Sequence, residues 1–232
     1  MKSRTPRSVE LFLVSAALLV QWAGCAARRA TDSFHSAMLP FASESVSNLV
    51  AGTTGGTAVY LGDGHWMTSR RVLNGASTVS IDGETAAIRV LCGGETSDKL
   101  EADVAQALGD WVIFEAQEVA GPSAKKPPCY DPDKPVRPGQ RVYLIGYPCV
   151  PGTMNRRLTL VGTRVVTRPW WLPKGPLYLA GPTTGLAGLA GGAAVVMQDD
   201  EVVMLGIFYG PCKTWWAEWP RKALLMVLRP PK

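Results

Sequence analysis

The chain has 232 residues, with 24 lysines and arginines against 19 aspartates and glutamates, a formal net charge of +5, five cysteines and only two histidines, His35 and His65. At 47% hydrophobic and 19% charged it is long and apolar enough to bury a full core as one large or two small domains, which excludes a largely disordered chain. Two histidines exclude any mechanism or metal site that needs three of them, and neither a metal nor a cofactor is expected.

In chain order, Lys2, Arg4 and Arg7 precede the apolar run LFLVSAALLV at residues 11–20, and the small residues Ala23, Gly24, Cys25 and Ala26 follow it. A basic start, an apolar run too short to span a bilayer and a small-residue site make an export signal. Trp22-Ala23-Gly24-Cys25 resembles a bacterial lipobox, with Trp22 where an aliphatic residue is usual. The resemblance implies a signal peptide over 1–24, a lipidated Cys25 as membrane anchor, and an outer-membrane location facing the periplasm. Ordinary cleavage after Ala26, giving a periplasmic or secreted chain, and an uncleaved anchor are the alternatives. Residues 1–24 hold Lys2, Arg4, Arg7 and Glu10, a net of +2, so +3 remains, too ordinary a charge to point to nucleic acid. Outside the cytoplasm thiols pair; Cys92, Cys129, Cys149 and Cys212 form an even set whose pairing stays open.

Residues 25–44 read as a tether. Beyond them, the runs at 56–62, 65–72, 78–82, 86–92, 110–116, 141–147, 158–167, 177–181, 192–198 and 201–209 are short, apolar or alternating, and rich in β-branched residues. Asp63-Gly64, Asp82-Gly83 and Asp199-Asp200 sit between consecutive runs, where tight hairpins turn. Residues 121–140 are proline-rich, carry Lys125, Lys126, Lys134 and Arg137, and have the composition of an exposed linker. The expected fold is all-β: an antiparallel barrel over 45–120, the linker, and a second barrel over 141–232 in which residues 221–228 form a short helix. Trp170-Trp171 and Trp215, Trp216 and Trp219 fall in loops of the second half. They either cover that barrel's open end or face a partner or lipid.

The segment GTAVYLGDGHWMTSRRVL at residues 56–73 resembles the stretch of trypsin-like (chymotrypsin-fold) serine peptidases that ends in Leu-Thr-Ala-Ala-His and an apolar pair. Asp110-Trp111-Val112-Ile113-Phe114 resembles the segment whose aspartate orients the catalytic histidine. RVYLIGYP at residues 141–148 resembles the first strand of that family's second barrel. Gly188-Leu189-Ala190-Gly191-Gly192-Ala193 aligns with Gly-Asp-Ser-Gly-Gly-Pro, ahead of Leu205-Gly206-Ile207. The resemblance spans residues 45–229 and implies a two-barrel fold. It places Arg71 at the histidine position, Asp110 at the aspartate and Ala190 at the nucleophile.

The chemistry then follows from the residues. The mechanism needs an imidazole that takes a proton from serine and returns it to the leaving amine. A guanidinium, with a pKa above about 12, does neither, and alanine has no hydroxyl to attack a carbonyl. A shift of register does not rescue the site, because no serine follows Ser123. Arg71 is expected in a bidentate ion pair with Asp110 that pins the barrels together, or pointing to solvent beside Arg70. The backbone N–H groups of Gly188 and Ala190 match the family's oxyanion hole and do not depend on side-chain identity. Leu205, Gly206, Ile207, Phe208, Tyr209 and Gly210 match the strand along which an extended peptide or protein segment adds. The sequence thus points to an exported peptidase homologue that binds peptide without cutting it. The alternatives are an active endopeptidase with displaced residues, for instance Cys212 with His65, and a purely structural envelope lipoprotein.

Overall fold

Short β-branched and aromatic runs become strands throughout the described residues of a computed structural model: 36–94, 109–117, 119, 139–150, 153–154, 157–167, 177–180, 189–199, 201–211 and 223–227. A helix, α1, covers residues 36–45. It is followed by β1 (Val46–Ala51), β2 (Thr54–Gly62), β3 (His65–Ser69), the single-turn helix α2 (Arg70–Leu73), β4 (Thr78–Ile81), β5 (Glu84–Gly93) and β6 (Trp111–Ala116). The strands pair antiparallel and close into a barrel in the order β1-β2-β3-β6-β5-β4. Its core gathers Leu49, Tyr60, Trp66, Ile81 and Phe114, each worth about 1.5–3 kcal/mol when fully removed from water. Val72 and Leu73 of α2 join the same core, so one face of that turn is locked inward and the other is left toward the second barrel.

The second barrel is built from β7 (Arg141–Gly146), β10 (Thr159–Thr167), β11 (Leu177–Ala180), β12 (Ala193–Gln198), β13 (Glu201–Pro211) and β14 (Ala223–Val227). It closes in the order β10-β11-β14-β13-β12-β7. Two short strands, β8 (Cys149–Val150) and β9 (Thr153–Met154), pair as a separate hairpin. The aspartate turns act as expected. Asp63 and Gly64 have φ of 53° and 75°, Asp82 and Gly83 have 50° and 99°, and Asp199 has 49°. Positive φ at both central positions is what a two-residue hairpin of right-handed twist needs.

Four expectations change. Strand β1 lies before the first predicted run and supplies the barrel's sixth strand. Residues 36–45 are helical where a tether was expected, with Phe41 and Ala42 buried. The run 65–72 does not stay extended: Ser69 ends it, and α2 follows, capped by Asn74 at φ 46° with its N–H bonded to the Arg70 carbonyl. Asparagine tolerates that left-handed geometry, so Asn74-Gly75 was the overlooked stop signal. Finally, the short C-terminal helix is a strand. Ala223–Val227 has a helix-favouring composition, but β11 and β13 would otherwise expose unpaired edges, and β14 bonds to both. Tertiary pairing overrides propensity there. Linker residues 121–138 lie outside the described residues.

Candidate functional site

Strand β3 delivers Ser69 to the rim of the first barrel, and α2 turns the chain so that Arg71 faces β13. Asp110, just before β6, is only 5% exposed, and among the described residues the bonds to its carboxylate come from this short stretch. Its Oδ1 accepts the Arg71 backbone N–H at 3.1 Å. Its Oδ2 accepts the Ser69 hydroxyl and the Arg71 Nε–H, the latter at 3.0 Å. The Asp110 carbonyl in turn accepts the Arg70 N–H at 2.7 Å. Ser69 thus satisfies the carboxylate instead of capping α2, which explains why that helix has no side-chain cap.

The ion pair is present, yet it differs from the bidentate fork expected. One guanidinium N–H meets Asp110, and both partners belong to the first barrel. The link across to the second barrel is a different bond, from Arg71 Nη2 to the Tyr209 carbonyl. Arg71 also lies over the Tyr209 ring, with Cζ 4.1 Å from the ring centroid, a favourable cation–π distance. The ladder to β14 is irregular at this point: Phe208 pairs with Leu225 and Gly210 with Leu224, and the register with β12 ends at Ile207.

Ala190 sits in a tight turn, with the Gly192 N–H bonded to the Leu189 carbonyl at 2.9 Å and Gly191 at φ 80°. Positive φ at the third position is glycine's territory. The turn is seated against the first barrel: a Cβ at Gly56 would stand 2.7 Å from Val72 and 3.1 Å from the Ala190 carbonyl. Leu189, where the family has aspartate, is 1% exposed. The Gly191 N–H goes to the Phe208 carbonyl at 3.0 Å, which fixes the turn to β13. The structure therefore gathers Arg71, Asp110, Ala190 and Tyr209 around one seam between the barrels.

Other candidates fall elsewhere. His65 begins β3, about 13 Å from Ser69 at the usual strand rise, opposite Glu115, and so stands away from Arg71. Leu205 to Tyr209 lie in β13 and are buried, with Gly210 following them in the same strand. Cys92 is a free, exposed thiol in β5. Cys25, His35, Cys129, Gly188, Cys212 and the five loop tryptophans lie outside the described residues.

A second polar seam escaped the sequence reading. The Tyr147 N–H donates to Thr57 Oγ1 at 2.8 Å, while the Thr68 hydroxyl donates to the Thr57 carbonyl at 2.6 Å. Burial first, and the Asp82 carboxylate second, raise the Tyr147 phenol above its ordinary value of 10.0. The unfolded chain ionises this group first, so folding stability falls as pH rises past the ordinary tyrosine value toward the raised one. Thermal unfolding followed between about pH 9 and pH 11 should show a steeper loss in the native chain than in Tyr147→Phe. Equal slopes would remove Tyr147 as the cause.

No family model and no curated protein matches the chain. Solved structures do. Rv3671c from M. tuberculosis H37Rv, as an inactive-form serine-to-alanine mutant, is 16% identical with a TM-score of 0.52, covering 80% of this chain and 82% of that one. The inactive form of Rv3671c protease gives 16% and 0.52, over 80% and 84%. The active form gives 16% and 0.53, over 82% and 78%. With two closed six-stranded antiparallel barrels and this likeness, the chain has the trypsin-like double-barrel fold.

Proposed function

We propose that this protein is a non-catalytic member of the chymotrypsin-fold serine peptidases that holds an extended peptide or protein segment at the seam between its barrels. One observation carries the reading: Arg71, at the position that the sequence resemblance gives to the catalytic base, has its guanidinium held by Asp110 and the Tyr209 carbonyl. A group that stays protonated throughout the working range cannot relay a serine proton, and Ala190 offers no nucleophile. Binding rests on the Ala190 backbone N–H and on the end of β13 beyond its register with β12, neither of which needs the lost side chains. The export signal and a lipid anchor at Cys25 belong to the same proposal and place the binding outside the cytoplasm.

The native chain should take up neither a fluorophosphonate nor a thiol-directed activity probe and should leave casein intact. The competing reading, an active endopeptidase, demands the opposite. Casein cleavage that disappears in Cys212→Ala or His65→Ala would establish it and overturn the proposal.

A further inference from the structure

We infer that the seam recognises a free carboxylate, the C-terminus of a peptide, and not a chain that passes through. The inference rests on the proposed peptide-binding reading and names its ligand class. Donors and acceptors at the site are unevenly occupied. On the acceptor side, both Asp110 oxygens are taken by Ser69 and Arg71. The Tyr209 carbonyl is taken by Arg71 as well. A strand adding through β13 would have to share that carbonyl with the Arg71 N–H.

Donors, in contrast, are left over. A guanidinium has five N–H bonds; one meets Asp110 and one meets Tyr209, so among the described residues three on the Nη atoms have no partner. None of the described backbone bonds uses the Ala190 N–H, although the next two residues both donate. The Arg71 side chain is 46% exposed, so these donors are reachable. Its orientation is held by the Asp110 bond and by the Tyr209 ring beneath it.

A site of positioned donors with occupied acceptors suits a group that only accepts. A carboxylate does so with two oxygens and meets a guanidinium in matched planar geometry. Asp110 does not compete, being buried and already accepting three hydrogen bonds, and it keeps the arginine in place. A passing peptide presents as many donors as acceptors and would have to share the Tyr209 carbonyl with Arg71, while leaving the spare arginine donors without a charged acceptor. Ending the chain there removes the conflict.

The test uses the full-length chain, immobilised, and a randomised pentapeptide pool made twice, once with free C-termini and once amidated. The free-acid pool should be retained about tenfold or more over the amide pool, the ratio expected of a charge-assisted pair. Arg71→Met should abolish that ratio, and Arg71→Lys should keep part of it because the charge stays and the fork is lost. Unfolding curves of both variants confirm that the comparison is between folded proteins. Acetate at the peptide's concentration should not displace it; full displacement would reduce the site to a simple carboxylate site and overturn the peptide assignment. Equal retention of the two pools, or a preference that survives in Arg71→Met, would overturn the inference while leaving peptide binding in place. Retention of neither pool would overturn both.

Discussion

Replacing Asp110 with alanine should destabilise the protein by about 3 kcal/mol, whereas Arg71→Met should cost about 1 kcal/mol. The asymmetry follows from burial. Asp110 is 5% exposed and the Arg71 side chain 46%. Without the carboxylate, the fully buried Ser69 hydroxyl and the part-buried Arg71 backbone N–H lose their acceptor, and an orphaned buried donor costs about 1–3 kcal/mol. The guanidinium itself rehydrates, so its share is small. In Arg71→Met, Asp110 keeps two of its three donors, and the methionine still covers the Tyr209 ring. For a chain of this size about 3 kcal/mol lowers the midpoint by roughly 6–12 °C. Denaturant unfolding of the two variants side by side gives the comparison. Comparable losses, or a larger loss in Arg71→Met, would mean that the cross-barrel bond to Tyr209 and not the buried carboxylate holds the seam.

What could be read before the structure, and what could not, divides along physical lines. Strands with period-two patterning and Asp-Gly turns are local signals, and the hairpins at Asp63-Gly64 and Asp82-Gly83 turn where those residues stand. The order of motifs named Arg71, Asp110 and Ala190 as one site, and the fold brings these residues to one seam. Strand β14 was unreadable for the opposite reason. Ala-Leu-Leu-Met-Val carries no β signal of its own, and only the open edges of β11 and β13 make it a strand. The role of Tyr209 was equally hidden. Arg71 is 138 positions away from it, and only the meeting of the two barrels brings the guanidinium to its carbonyl. Ser69 was legible as a residue of the β3 run but not as a partner of Asp110, since that hydrogen bond exists only once β3 and β6 lie side by side.

The largest single effect is expected at Gly191. An alanine there would put its Cβ 2.5 Å from the Thr57 carbonyl oxygen, 2.6 Å from Thr68 Oγ1 and 3.1 Å from the Ser69 nitrogen. Two of those three atoms are backbone. The third is held by its own hydrogen bond to the first, so none can yield cheaply. Holding a non-glycine residue at φ 80° adds about 1–2 kcal/mol, and overpacking a closed site about 1–3 kcal/mol more. A loss of about 4 kcal/mol places Gly191→Ala among the exceptional substitutions. Gly64→Ala is the control, since φ is 75° there but no atom lies within 4 Å of the new methyl; it should lose only the backbone cost, about 1–2 kcal/mol. Equal losses in the two would show that the Ala190 turn can move off β2 and β3 without strain. The contact also bears on binding, because Ser69 opens the turn that carries Arg71. Any folded Gly191→Ala protein should therefore have the Ala190 N–H displaced from the arginine, and its preference for free-acid over amidated pentapeptides should fall even though both donors are still present.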